Sequence, residues 1–134
     1  RRLVIGGLLV ALFGLGLGMV VLLLENAGYL SVWWFMLPLS FIGIAQGLVI
    51  SPNQALTLAD VPLDYAGSSG AIMQTGQRIG TAVGIALITA AVFAALTVTN
   101  WAIAMVVGFA AIACIVVLAL LVAIKDLRDR GEIE

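Results

Sequence analysis

Residues 3–24 read LVIGGLLVALFGLGLGMVVLLL, a stretch with no charged, amide or hydroxyl side chain. At 1.5 Å per residue a helix of this length covers a hydrocarbon core of about 30 Å. Three more apolar runs follow it, Val32 to Leu58, Gly70 to Val98 and Trp101 to Ile124. Each is longer than the roughly 20 residues a crossing requires. A bilayer offers no water to unpaired backbone groups, so each run is expected to be helical despite its Val, Ile and Gly. The first run is too long for a signal peptide and lacks a cleavage-like polar exit; three further spans follow it. The expected fold is an all-α integral membrane protein with four transmembrane helices in residues 1–124 and a cytoplasmic tail at 125–134. Because the chain opens on Arg1 without a methionine, it is expected to be a piece of a longer protein.

Composition agrees with this reading. Of 134 residues, 63% are hydrophobic and 10% charged, where soluble domains carry roughly 25% charged residues. A net charge of −1 leaves no basic surface for nucleic acid. There is no histidine, and the one cysteine, Cys114, sits in an apolar run, so neither a disulfide framework nor a metal site is expected, and no cofactor is implied. No nucleophile set, metal set or pair of acids lies at one depth, which argues against an enzyme.

The basic residues sort by side. Arg1 and Arg2 precede the first helix, Lys125, Arg128 and Arg130 follow the fourth, and Arg78 lies early in the third. The turns at Glu25 to Ser31 and Thr97 to Asn100 have none. The positive-inside rule therefore places those turns outside and both ends in the cytoplasm of a multi-pass protein of the cell membrane. Trp33, Trp34 and Trp101 fall beside the external turns, where interfacial aromatics collect. The Ala59 to Ser69 loop, with Asp60 and Asp64, is then cytoplasmic; Val61-Pro62 ends the second helix, and Ser68 or Ser69 is available to cap the third.

At 100° per residue the helices fall into two kinds. Gly7, Ala11, Gly14 and Gly18 make one stripe on the first, and Ala104, Gly108 and Ala111 one on the fourth. With no charge or amide in their middles, these two are expected to be supporting helices, packed on one small-residue face and facing lipid on the other. On the second helix Gln46, Asn53 and Thr57 share a sector beside a small-residue sector of Gly43, Gly47 and Ser51. On the third, Gln74, Arg78, Thr81 and Thr89 share a face, and Gly76, Gly80 and Gly84 occupy another. Amides and a charge at membrane depth are costly unless they meet each other, a ligand or water. Arg78, counted eight residues into its helix or about 12 Å along the axis, has two readings: a partner for an acid elsewhere, or an anchor that snorkels to the headgroups.

The stretch Gly43-Ile-Ala-Gln-Gly47-Leu-Val-Ile-Ser-Pro52, then Val61-Pro62, Gly67-Ser-Ser-Gly70 and Gln77-Arg78-Ile79-Gly80-Thr-Ala-Val-Gly84-Ile-Ala86, resembles the major facilitator superfamily. More narrowly, it is similar to the C-terminal four helices of fourteen-helix drug:proton antiporters of the EmrB/QacA type. The resemblance implies a peripheral helix, a cavity-lining helix, a helix at the interface of two halves, and a second peripheral helix. On that pattern Gln46, Asn53 and Thr57 would face a substrate cavity and Gln74 and Arg78 would lie near the interface of the two halves, with Gln74, Arg78 and Thr81 also candidates to line the cavity. Gly76, Gly80 and Gly84 would let helices approach closely during alternating access, and Gly43 and Gly47 are expected to be helix-packing positions as well. The function implied is proton-coupled efflux of a small amphipathic substrate, with the remaining helices of the transporter and the lipid bilayer as partners. No Asp or Glu lies within the four apolar runs, so a proton-carrying acid would have to come from elsewhere. The alternative is a small four-helix structural or assembly subunit whose glycine seams serve oligomerisation.

Overall fold

The computed structural model describes residues 2–59 and 61–131. Arg1, the loop acid Asp60 and the terminal residues Glu132, Ile133 and Glu134 lie outside the described residues, as do the side chains of Leu63, Asp129 and Arg130. Among the described residues there are four α-helices: α1 (Arg2–Asn26), α2 (Met36–Leu58), α3 (Ala66–Leu96) and α4 (Trp101–Gly131). A 3₁₀ turn, Val32–Phe35, leads directly into α2, and a second, Leu63–Tyr65, into α3. All four helical segments are long and apolar enough to cross a membrane. The protein is an all-α, multi-pass membrane protein.

Local chemistry explains the ends. Gly28, at φ +80, is the described residue with a left-handed backbone. It closes α1 by donating to the Glu25 carbonyl at 2.9 Å while the Tyr29 N–H reaches the Leu24 carbonyl at 2.9 Å. This wrap satisfies carbonyls that have no partner within the helix, and glycine adopts the required angle without a Cβ penalty. Pro38 lies in the first turn of α2, where a missing N–H costs little, and it is fully buried. Pro52, by contrast, is inside α2 and removes the donor that would have met the Leu48 carbonyl.

Two boundaries differ from the sequence expectation. Helix α3 starts at Ala66, four residues before Gly70, and neither serine caps it: the Ser68 hydroxyl donates to the Tyr65 carbonyl at 3.0 Å. The preceding 3₁₀ turn delivers Tyr65 already in a right-handed conformation, at φ −107 and ψ 0, so no extended capping residue is present. Helix α4 runs seven residues past Ile124, to Gly131. The intervening Lys, Asp, Leu and Arg contain no breaker and include good helix formers.

Packing departs more from expectation. Helix α1 is not a one-sided support but the centre of the array, with α2 on one flank and α4 on the other; α3 packs against α4 and only grazes α2. The reason is the distribution of glycines around α1. A Cβ built on Gly14 would stand 3.0 Å from Ile42 Cγ1, 3.1 Å from Phe41 Cβ and 3.2 Å from the Pro38 carbonyl, so the α1 and α2 backbones are nearly in contact there. Gly7 is as close to Val49, Leu48 and Ala45 one helical segment away. Gly18 lies beneath both Pro38 of α2 and the Phe109 ring of α4. Phe13 and Phe41 add an edge-to-face ring pair at 5.2 Å, a favourable aromatic geometry. On α4, Ala104 is wholly buried and Gly108 admits Val92 and Ile88 of α3. In lipid, where apolar surface alone drives no association, such close backbone approach is a main source of helix adhesion.

The two turns at one end are joined directly. The Asn100 amide donates to Asn26 Oδ1 at 3.3 Å, while Asn100 Oδ1 accepts the Ile103 N–H at 3.0 Å and so caps α4. The start of α1, the end of α2 and the last turns of α4 meet at the opposite end, where Val4, Thr57 and Asp126 line one groove.

Candidate functional site

Among the described residues no polar or charged side chain is buried. Every polar group singled out from the sequence is therefore on a surface of this four-helix array, and the question is which surface. Asn53 and Thr57, on the last turns of α2, line a groove of about 720 Å³ whose other walls are Val4 and Leu8 of α1 and the Ile115 to Asp126 segment of α4. Gln46 shares their helical sector but lies two turns away, about 10 Å along the axis, and does not line that groove. On α3, Gln74, Arg78 and Thr81 line a separate concavity together with Gln77, Ala82 and Ile85. All four polar side chains are exposed. The structure thus brings Asn53 to Thr57, and Gln74 to Arg78 and Thr81, but it does not bring the two sets together, because α2 and α3 occupy different flanks of the array.

The hydroxyls are less available than the sequence implies. Thr57 Oγ1 donates to the Asn53 carbonyl and Thr81 Oγ1 to the Gln77 carbonyl, each at 2.8 Å. This back-bonding occupies their one hydrogen and leaves them as acceptors. The donors left at these positions are the amides of Gln46, Asn53 and Gln74 and the guanidinium of Arg78. Arg78 lies twelve residues after the start of α3, roughly 18 Å along the helix axis rather than the 12 Å counted from Gly70.

Gly43, Gly47, Gly76, Gly80 and Gly84 have no atom within 4 Å of the position a Cβ would take. On α2 the first two point away from Ala45, the residue buried against α1. The close approaches inside the array belong instead to Gly7, Gly14 and Gly108.

Three residues that sequence reasoning passed over matter here. Asn100 caps α4 and ties the two turns, and its position just before an apolar run was a readable capping signal. Gln77 joins the polar concavity of α3. Asp126 reaches the rim of the groove because α4 continues past Ile124; it follows Leu118 and Val122 at four-residue spacing, the signature of one helical face.

A bundle with an apolar exterior, close glycine seams and exposed polar faces defines a class: a multi-pass helical membrane protein. Comparison with known proteins sharpens this in one direction. The chain is 31% identical over 91 residues, 66% of its length, to a probable actinorhodin transporter of Streptomyces coelicolor (strain ATCC BAA-471 / A3(2) / M145). The matched region is 15% of that protein. No family model matches the chain, and no solved structure matches it.

Proposed function

We propose that this chain is part of a secondary active transporter of the major facilitator type, resembling the EmrB/QacA antiporters, that exports small amphipathic compounds in exchange for protons. The observation that carries the reading is the uncovered polar face of α3. Gln74, Gln77, Arg78 and Thr81 form one concavity that no other helix of the array closes. In a bilayer a guanidinium and two amides on one face require an aqueous pathway or polar partners on further helices. A likeness to a transporter supports transport over catalysis, and the short share of that relative it covers is consistent with a chain that acts alongside other helices.

In this reading the start of α1 and the end of α4 both face the cytoplasm at the cell membrane, following the placement of Arg2, Lys125 and Arg128. Asn53 and Gln46 offer amides to substrate on the α2 side. Arg78 holds an acid of another helix ionised, and protonation of that acid, or arrival of substrate, changes the local field. The outward glycines Gly43, Gly47, Gly76, Gly80 and Gly84 provide faces on which further helices slide in alternating access.

The test is proton-coupled transport in vesicles reconstituted with the longest polypeptide that contains this segment, as a function of pH, for wild type, Arg78→Lys and Arg78→Gln. The expected outcome is a shifted pH profile and weakened coupling in Arg78→Gln, with partial function in Arg78→Lys. Superimposable profiles at equal protein level would leave Arg78 as a headgroup anchor. The same open glycines also suit a four-helix assembly subunit; that alternative expects stable homo-oligomers and no transport from any polypeptide containing the segment.

A further inference from the structure

The last turn of α1 carries an acid that nothing in the array answers. Glu25 is half-buried, and among the described residues its carboxylate has no hydrogen-bond or ion-pair partner. A helix C-terminus bears partial negative charge, so a carboxylate in the last turn adds to a field that favours a cation; α1 has no basic residue there. Neither turn at this end, Glu25 to Ser31 or Thr97 to Asn100, contains Lys or Arg. Arg78 stands 18 residues before Leu96, the end of α3, roughly 27 Å along its axis. Arg2, Lys125 and Arg128 are at the opposite end of the array.

Glu25 is one wall of a pocket of about 250 Å³ whose other walls are apolar: Val21 and Leu22 of α1, Val32 and Phe35 of the 3₁₀ turn, and Met105 and Phe109 of α4. The Phe35 and Phe109 rings are 5.9 Å apart and inclined at 38°. Gly18 makes room for the second ring, which would touch a Cβ there at 3.8 Å. We propose that this pocket binds a small arylalkyl ammonium ion. Glu25 accepts the ammonium N–H bonds, which are charge-assisted on both sides, and the apolar body lies among Phe35, Met105 and Phe109, where ring faces also attract a cation. The volume is below the roughly 300 Å³ at which drug-sized sites begin, so the ligand has one ring and a short chain. A phospholipid amine fits less well, because it brings a phosphate beside the ammonium and the two turns offer no cation to receive it.

Calorimetric titration of 2-phenylethylammonium into the longest polypeptide that contains this segment, held in phosphatidylcholine nanodiscs, reads this directly. Wild type should bind the amine saturably and about tenfold more tightly than 2-phenylethanol, which keeps the ring and chain but not the charge. Glu25→Gln should remove that difference. Val32→Trp and, independently, Met105→Trp fill the pocket from two exposed positions with Glu25 in place, and both should abolish binding at unchanged helical content. Asp64→Asn, which removes an exposed acid in the loop between α2 and α3, is the control and should change nothing. Equal affinity of wild type for amine and alcohol, or a preference for the amine that survives Glu25→Gln, would overturn the proposal. So would undiminished binding in both tryptophan variants, which would mean that the acid attracts the amine without the pocket. Loss of binding when phosphatidylethanolamine replaces phosphatidylcholine would also overturn it, by assigning the pocket to a lipid headgroup. The proposal uses neither α3 nor transport, so this site and the transporter reading fail or survive separately.

Discussion

Replacing Gly14 by alanine isolates the contact between α1 and α2. The added Cβ would meet Ile42 Cγ1 at 3.0 Å, Phe41 Cβ at 3.1 Å and the Pro38 carbonyl at 3.2 Å. Two of these three atoms are backbone or bonded to it, so rotating a side chain does not relieve the crowding; the helices must separate. Overpacking of this kind costs about 1–3 kcal/mol. Any glycine to alanine change in a helix also gains up to about 1 kcal/mol of propensity. Gly16, on the same helix, supplies the reference, since a Cβ there meets nothing within 4 Å. Both variants share the propensity gain, so their difference reports packing alone. Gly14→Ala should be less stable than Gly16→Ala by about 1–3 kcal/mol. Denaturation in mixed micelles titrated with sodium dodecyl sulfate, followed by far-ultraviolet circular dichroism, measures it. Equal midpoints and slopes for the two variants would refute the claim that α1 is held to α2 by glycine contact.

Asn100→Ala removes both the α4 cap and the link to Asn26, and should cost about 1 kcal/mol in the same denaturation assay, with Asn26→Ala costing less because the cap survives. In a Cys114→Ala background, single cysteines at Ala27 and Thr99 should react with an impermeant thiol reagent added outside intact cells and one at Ala59 should not; labelling at Ala59 from outside would reverse the proposed orientation. Gly80→Leu should leave the stability of the four-helix array unchanged, because its Cβ position is open, yet, on the proposed reading, abolish transport by a polypeptide that carries this segment together with further helices. If transport survives, the outward glycine face of α3 meets no further helix.

Periodicity and length located the helices well, because in lipid the backbone has no alternative to its own hydrogen bonds. They failed at ends governed by local geometry rather than by hydropathy. Ser68 looked like a cap by residue type, but a 3₁₀ turn upstream had already started the helix. The charges after Ile124 looked like a tail, but they contain nothing that stops a helix. The glycine stripes were legible as close-packing surfaces, and on α1 and α4 they are so used. What a stripe does not encode is how many neighbours its helix has. Gly18 reaches Pro38 and Phe109 at once, and that double contact makes α1 central. The polar residues were legible as a list, whereas their grouping was not. Whether Asn53 faces Gln74 or Val122 depends on which helix lies beside α2, and that is a tertiary fact.

The separation of the two polar sets bears on the proposed mechanism. If Asn53 and Arg78 faced each other inside this array, four helices could enclose a pathway by themselves. Instead α1 and α4, the two helices without amides in their middles, fill the space between α2 and α3; Asn53 and Thr57 look into the groove against α4, while the glycine faces of α2 and α3 and the polar face of α3 turn outward. A cavity lined by both Gln46 and Gln74 therefore has to be closed by helices approaching from outside. On the proposed reading those helices must supply two things the described array lacks at mid-membrane: a titratable carboxylate for Arg78 to hold, and surfaces that fit against Gly43, Gly47 and Gly80. An acid on such a helix, crosslinking to a cysteine at Gln74 and shifting the pH dependence in the same sense as Arg78→Gln, would join the two requirements in one residue. An acid that shifts the pH dependence but crosslinks only to the α4 side would place proton coupling away from α3.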